Sequence, residues 1–375
     1  DLARELSKNR ISEKQANIYL DEMLSLSTKI GYAEGLIKYY DLSGHYDRNK
    51  GAYASALQKH IRAMHLAEEN GLKEYLPRIY NNIGVIYRRI DEFSSGIEYH
   101  LKALRIAEEL GDNETIGYAC NSIGNIYSLM KQYDKALSFF NRSLDLAQMG
   151  KNTRSKAINF NNIGEVYEFM GDYQKALEYY SKSLELNIEI NNIKGLGISY
   201  DCIGNVYRKT NQFTSALEYY KKGAEMHLKH SETLFYSVCL KNIGSIYLNM
   251  GDYVEAEKNI NISLEMAKKV GSKTTIGDLY DLKAQLCEKQ HNFQQALLYE
   301  RIHSKYVDSV WNEQNSLNIT KLQTIYDTEK QLEAISKLNI ENQLNEKIIE
   351  RKNILNLTLS VFIGLILIFA LILYR

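Results

Sequence analysis

Eight histidines and four cysteines are the side chains of this 375-residue chain best suited to holding a metal or attacking a substrate. Their spacing favours neither. His227 and His230 stand three apart and could share a helix face, but the surrounding sequence offers no third ligand. His60 and His65 stand five apart, and His45 and His100 are scattered. Cys120, Cys202, Cys239 and Cys287 have no CxxC spacing and no histidine pattern beside them, so they read as packing thiols. Glu108 and Glu109 fall on an ordinary solvated helix face. No GxSxG, HExxH, P-loop or dinucleotide fingerprint occurs. No catalytic, metal or cofactor-binding residue is expected, and the chemistry to look for is recognition.

Charge narrows the partners. Lysine plus arginine and aspartate plus glutamate each number 46, so the net charge is zero and no global electrostatic footprint for nucleic acid exists. An apolar content of 45%, 29 tyrosines and a single proline give ample core and an all-α chain.

The elements that must position any binding residue follow from a repeat. Gly44, Gly84, Gly124, Gly164, Gly204 and Gly244 recur every 40 residues, with Ala284 in the seventh slot. Nine residues after each slot stands an aromatic, from Tyr53 to Phe293, and three further on a small residue, including Ala136, Ala176 and Ala216. A tyrosine follows the glycine by three in five copies, as at Tyr167. Such a period means one supersecondary unit copied along the chain. In the fourth copy Ile158, Ile163, Val166, Tyr167 and Met170 recur at helical spacing. Gly171-Asp172 then breaks the pattern, and Ala176, Leu177, Tyr180, Leu184 and Leu186 form a second stripe. Each unit is therefore a helical hairpin. Glycine in a helix interior costs ~1 kcal/mol against alanine, so the slot glycines need a reason. The expected one is close approach of the second helix, at Ala176 in the case of Gly164.

The string from Asn161 to Leu186, with Ile163-Gly164-Glu165-Val166-Tyr167, Ala176 and Tyr180, resembles the tetratricopeptide repeat (TPR). The resemblance covers about 36–305 and implies a right-handed α-solenoid of about seven repeats, preceded by capping helices at 1–35. Two departures stand out. The repeat is 40 residues long, and the proline that usually ends the second helix is missing, Pro77 being the only one. Both suit the long-helix variety of signalling scaffolds and regulators. In the family, peptide contacts come from first-helix positions two and six before the glycine and one after it. Here these include Asn82, Asn162 and Asn242, then Arg78 and Tyr118, then Asn125, Glu165 and Asn205. Only Arg78 among them is basic, so capture of a terminal carboxylate is not expected. The amides suit an extended peptide, or alternatively bond between neighbouring repeats.

Past the repeats, 306–352 is polar and free of glycine and proline. Leu322, Ile325, Leu332, Ile335, Leu338, Leu344 and Ile348 lie near a helical stripe. An imperfect heptad leaves two readings open, a homodimeric coiled coil through 311–352 or a single solvated helix capping the stack. From Ile354 to Tyr374 no charge occurs, which gives a transmembrane helix and a lipid bilayer as partner, within a 353–375 segment. Tyr306-Val307-Asp308-Ser309-Val310-Trp311 and Leu322-Gln323-Thr324-Ile325-Tyr326 resemble the juncture of Bacteroidetes-type TPR sensors. Those proteins continue into a cytoplasmic histidine kinase or DNA-binding regulator domain.

The resemblance implies a single-pass protein of the bacterial cytoplasmic membrane with extracytoplasmic repeats. Lys347, Arg351 and Lys352 taken alone would place them inside. A start at Asp1 suits a removed targeting peptide, and an output domain would lie beyond Arg375. The expected function is thus a non-catalytic peptide- or protein-binding sensor region of a two-component type. The alternatives are a tail-anchored cytoplasmic scaffold and, third, a peptide-responsive regulator similar to the long-repeat TPR regulators of Gram-positive bacteria.

Overall fold

A computed structural model describes residues 13–374, and from 317 onward only some of the side chains. Among the described residues every regular element is helical. Helix α1 (Glu13–Ile30) precedes seven hairpins. They are α2 (Ala33–Asn49) with α3 (Tyr53–Glu69), α4 (Leu76–Arg89) with α5 (Phe93–Leu110), and α6 (Asn113–Leu129) with α7 (Tyr133–Met149). Then come α8 (Thr153–Met170) with α9 (Tyr173–Glu189), α10 (Ile193–Lys209) with α11 (Phe213–Lys229), and α12 (Thr233–Met250) with α13 (Tyr253–Lys269). Finally α14 (Lys273–Lys289) pairs with the start of α15 (Phe293–Tyr374). A short 3-10 turn at Lys73–Tyr75 leads into α4, where Pro77 sits in the first turn and gives up no helical hydrogen bond.

The helix ends explain the compact turns. Gly171 (φ 81°) caps α8 in the left-handed region, and its N–H donates to Glu168 O at 3.1 Å. The Asp172 N–H donates to Tyr167 O at 2.9 Å, which completes a Schellman end. Asp172 at once caps α9, its Oδ1 accepting from the Lys175 N–H at 3.1 Å. The same bonding recurs at Gln132, Gln212 and Asp252, each donating to the tyrosine carbonyl five residues back. The left-handed place is not always glycine: Lys131, Lys151, Asn191, Asn211, Ser231 and His291 also hold positive φ.

The core lies largely between hairpins. Ala136, Phe140 and Leu144 of one hairpin pack with Ile163 and Val166 of the next, and Ala176 and Tyr180 pack with Ile203 and Val206. A lone hairpin would leave both these faces in water, so stability is shared along the stack. Tyrosines staple several hairpins internally: Tyr87–Tyr99 and Tyr167–Tyr179 stack at 5.4 Å, and Tyr207–Tyr219 lie 5.5 Å apart. Two residues of the expected apolar stripe, Ile158 and Met170, are instead exposed.

The slot glycines make a close approach to the second helix: at Gly244 the Ala256 carbonyl lies 3.4 Å from where a Cβ would stand, but the nearest atoms come from the residue one turn beyond the small one. A Cβ at Gly164 would lie 2.7 Å from Cδ1 of Tyr180, one turn beyond Ala176. At Gly84 and Gly124 the partners are the rings of His100 and Phe140, again at 2.7 Å, and at Gly244 it is Ile260 at 2.8 Å. At the first three a flat ring lies against the bare backbone, and at Gly244 the branched Ile260 side chain does so.

The membrane assignment is corrected. Among the described residues no helix is long and apolar enough to cross a membrane. The stretch opens on Asn356, Thr358 and Ser360, whose polar side chains lower its hydropathy, whereas a span needs about 20 mostly apolar residues. Localisation in the bacterial cytoplasmic membrane, and the bilayer contact through 354–374, therefore do not stand. Side chains at 361 and 365–375 lie outside the described residues, as does the first part of the 1–35 cap. The chain divides into two compact units, 1–318 and 319–375. In the second, Leu338, Leu344 and Ile348 are exposed on a helix.

Candidate functional site: the face of the first helices

First helices of successive hairpins approach one another more closely than second helices do. The stack therefore curves toward the first helices, and their outer surface forms its inner face. Each residue expected to bind a peptide can be located there. Arg78 Nε donates to Asp41 Oδ2 at 2.8 Å, and Asn82 Nδ2 donates to Asp41 Oδ1 at 2.8 Å, both across a hairpin junction. Asn82 also accepts from Arg48 at 3.2 Å. Asn125 donates to Asn121 at 3.1 Å within its own helix, and Asn205 accepts from the Tyr220 hydroxyl at 2.6 Å. Asn162 and Asn242 make no side-chain hydrogen bond among the described residues. The Tyr118 hydroxyl donates to Glu114 at 2.9 Å. Glu165 reaches solvent, yet desolvation by the walls beside it, and then the charge of Glu168, raise its carboxyl above the usual range.

A second polar column, missed in the sequence, stands three residues before each glycine: Asp41, Asn81, Asn121, Asn161, Asp201 and Lys241. Its signal was the same period of 40, carried by polar rather than apolar residues. Asn121 Nδ2 donates to Asn159 Oδ1 of the next hairpin at 3.0 Å, and Asn159 donates to Ser143 Oγ at 3.0 Å. Ser143 in turn donates to Gly117 O at 2.8 Å, so one chain of hydrogen bonds ties two hairpins. Asp41 is buried beside His60 (3.1 Å) and Arg78. Burial alone would raise its carboxyl, but the His60 hydrogen bond and the Arg78 charge outweigh that and hold it well below the usual range. Asn161 Oδ1 is buried without a hydrogen-bond partner among the described residues, as are Nε2 of His60 and Nε2 of His100.

Beside this column a cavity of about 230 Å³ opens between the third and fourth hairpins. Tyr118 and Ile158, both six before a glycine, line it together with Asn121 and Asn159. They are 47% and 45% exposed, so the cavity presents apolar walls with an amide floor.

His227 and His230 reach one carboxylate from different surroundings. His227 is buried, with its Nδ1 3.0 Å from Glu232 Oε2, while the exposed His230 lies 3.7 Å from Glu232 Oε1. The neighbours that the sequence did not supply come from other helices: Asp201 on α10 and Cys239 on α12. All four cysteines are free. Burial pushes the Cys120 thiol up to about 11, and it raises those of Cys202, Cys239 and Cys287 as well.

The fold is that of a TPR-like solenoid of helical repeats. The tetratricopeptide repeat family matches residues 75–149 and 155–229, that is, the second to fifth hairpins. That match is to the repeat itself and does not reach the juncture at 306–326 that resembles Bacteroidetes-type sensors. No curated protein matches the sequence. Among solved structures, the apo form of the quorum sensor NprR from B. thuringiensis is similar at TM-score 0.60 and 19% identity, over 81% of this chain and 85% of that one. A Rap protein complexed with competence and sporulation factor gives 0.56 and 17%, over 80% and 82%. Aspartyl phosphate phosphatase F from Bacillus subtilis gives 0.57 and 18%, over 76% and 73%. At these identities the likeness is one of fold.

Proposed function

We propose that the chain is a non-catalytic recognition module whose inner face binds an extended peptide or protein segment. The observation that carries this reading is the cavity between the third and fourth hairpins, where the half-exposed side chains of Tyr118 and Ile158 stand beside the amides of Asn121 and Asn159. Asn161 Oδ1, buried and without a hydrogen-bond partner among the described residues, adds to it: an acceptor in that state costs about 1–3 kcal/mol, and a turn of the amide toward a peptide N–H would remove the cost. Asn162 beside it and Asn242 further along offer further amides. The cavity walled by Tyr118 and Ile158 would take an apolar side chain of the same peptide. The Rap conjugation gene regulator of the plasmid pLS20, solved in complex with the Phr* peptide, has a similar fold (TM-score 0.50, 18% identity) and by analogy favours a peptide over a folded partner. The earlier third reading, a peptide-responsive regulator, is thus preferred over the sensor and scaffold readings that required a membrane.

A random-peptide display selection tests the proposal. Peptides should enrich on the native chain and be lost on a variant carrying Asn121→Ala, Asn161→Ala and Asn162→Ala with unchanged helicity. Equal enrichment on both would reject it. A second reading, pairing of two copies through 311–352, is supported by the exposure of Leu338, Leu344 and Ile348. Sedimentation of the full chain against a chain ending at 318 checks it, with only the longer one expected to dimerise.

A further inference from the structure

Asp201, His227 and Cys239 come from three consecutive helices, α10, α11 and α12, and meet where the fifth and sixth hairpins join. Their ligand atoms all lie within 4.8 Å of one another. His227 Nε2 is 2.8 Å from Asp201 Oδ2, and Cys239 Sγ is 2.9 Å from Asp201 Oδ1. The other imidazole nitrogen, Nδ1, is engaged by Glu232 at 3.0 Å, and Glu232 is itself held by Lys194 at 2.9 Å. His227 and Cys239 are each 1% exposed, while Asp201 keeps an edge in solvent and gives the cluster its entrance.

The cluster departs from the repeat at several positions at once. Where His227 stands, four other copies have Ala67, Ala107, Ala147 and Ala267, and the fourth hairpin has the buried Asn187. Where Gly223 stands, others have Ser143, Ser183 and Ser263, each donating to a carbonyl of the first helix. In this hairpin that serine bond is given up and the space goes to the cluster: a Cβ at Gly223 would fall against Asp201 Oδ1. A Cβ at Gly197 would lie 2.7 Å from His227 Cε1. Helix packing alone asks for none of these replacements, since the neighbouring hairpins close without them.

We propose that Asp201, His227 and Cys239 form a binding site for a thiophilic divalent metal ion of the zinc class, tying the fifth hairpin to the sixth. One carboxylate, one imidazole and one thiolate are three protein ligands of a tetrahedral ion, with water as the fourth. The thiolate selects zinc or cobalt against magnesium and calcium, which take oxygen ligands. Glu232 on Nδ1 is the outer-shell carboxylate that fixes the ring with Nε2 toward the ion. On loading, the Cys239 thiol proton and the proton shared between Nε2 and Asp201 pass to solvent, and the ion takes their place. No oxidation change is involved. Asp201 belongs to the inner-face column, so the ion would fix the curvature of that face at this junction.

Cobalt(II) titrated into chelator-treated full-length protein is the test. One equivalent should bind with a thiolate-to-cobalt charge-transfer band and tetrahedral d–d absorption, and zinc should bleach both. Cys239→Ser should remove the charge-transfer band, whereas Cys120→Ser, Cys202→Ser and Cys287→Ser should keep it. Glu232→Gln leaves all three ligands in place and should weaken cobalt binding about 10–100-fold. Absence of the band in the native chain overturns the proposal whatever the variants do. So does a band that survives Cys239→Ser. Should Cys239→Ser fail to fold, loss of the band in any of the three other cysteine variants overturns it, and retention in all three assigns the sulfur by elimination.

Discussion

Gly164 and Tyr180 are in ring-to-backbone contact: the tyrosine lies flat where a Cβ on residue 164 would come within 2.7 Å of its Cδ1. The ring is held from both ends. Its face packs in the core with Ala176, Ile203 and Val206, and its hydroxyl donates to Glu168 at 2.7 Å. Glu168 also binds Lys209 of the next hairpin at 2.8 Å. One glycine thus admits a ring that links two hairpins through a carboxylate.

Substituting that glycine should be felt in proportion to the space available. Gly164→Ala is expected to lose about 1–3 kcal/mol by overpacking, more than any gain in helix propensity. Gly204→Ala should lose less, because the Tyr220 ring stands off to 3.1 Å there. Urea denaturation of the two variants side by side gives the comparison. A larger loss at Gly204 would contradict the ring-contact argument.

Stability should also fall in mild acid. Burial, and then the Arg88 charge, lower His100 from 6.5 to about 3, and burial with the Arg48 charge lowers His45 to about 4. Both rings are therefore neutral in the folded state at a pH where the unfolded chain already binds protons. Their contribution is complete above about pH 6.5 and is lost as pH falls toward 4 and then 3. The Asp41 carboxyl, held low in the fold, adds to the same loss at still lower pH. Thermal midpoints measured from pH 7 to 4 should drop steadily in the native chain and more shallowly in His100→Leu.

The left-handed turn residues offer the opposite sign. Lys151 (φ 52°) and Ser231 (φ 59°) occupy a conformation that costs an L-residue about 1–2 kcal/mol and glycine almost nothing. Lys151→Gly and Ser231→Gly should each raise the unfolding midpoint. Unchanged or lower midpoints would show that glycine's greater unfolded-state entropy outweighs the relief.

Thiol chemistry reports on packing independently. Cys120 and Cys239 are buried and their thiols are shifted upward by burial, so the thiolate that would react is suppressed. Ellman's reagent should leave both unmodified in the native chain and label all four cysteines in guanidinium.

Periodic features were legible in the sequence because each is stated many times over. The glycine slots, the aromatics and the Gly171-Asp172 turn gave the hairpins and their length. What was not legible depends on partners from different units. The sequence puts Ala176 at the close approach, because it shows that glycine and alanine recur but not that the residue one turn later carries the ring. Asp201, His227 and Cys239 are far apart along the chain and converge only when two hairpins stack. The polar column from Asp41 to Lys241 is visible as a period, yet its residues differ in type, so no single residue marks it as the asparagines nearer the glycine mark theirs. The apolar run after Ile354 reads as a span by length, whereas no helix among the described residues is long and apolar enough to cross a membrane.

Peptide binding is put to its sharpest test at Asn161, whose acceptor a bound ligand would complete. Calorimetry of a display-selected peptide against the native chain and Asn161→Ala, with urea stability measured on both, tests this most directly. The account predicts binding weaker by about tenfold, the equivalent of one hydrogen bond of ~1.4 kcal/mol, together with stability unchanged or raised in the absence of peptide. Equal affinity combined with a loss of stability would show that Asn161 serves the stack alone, and would contradict it.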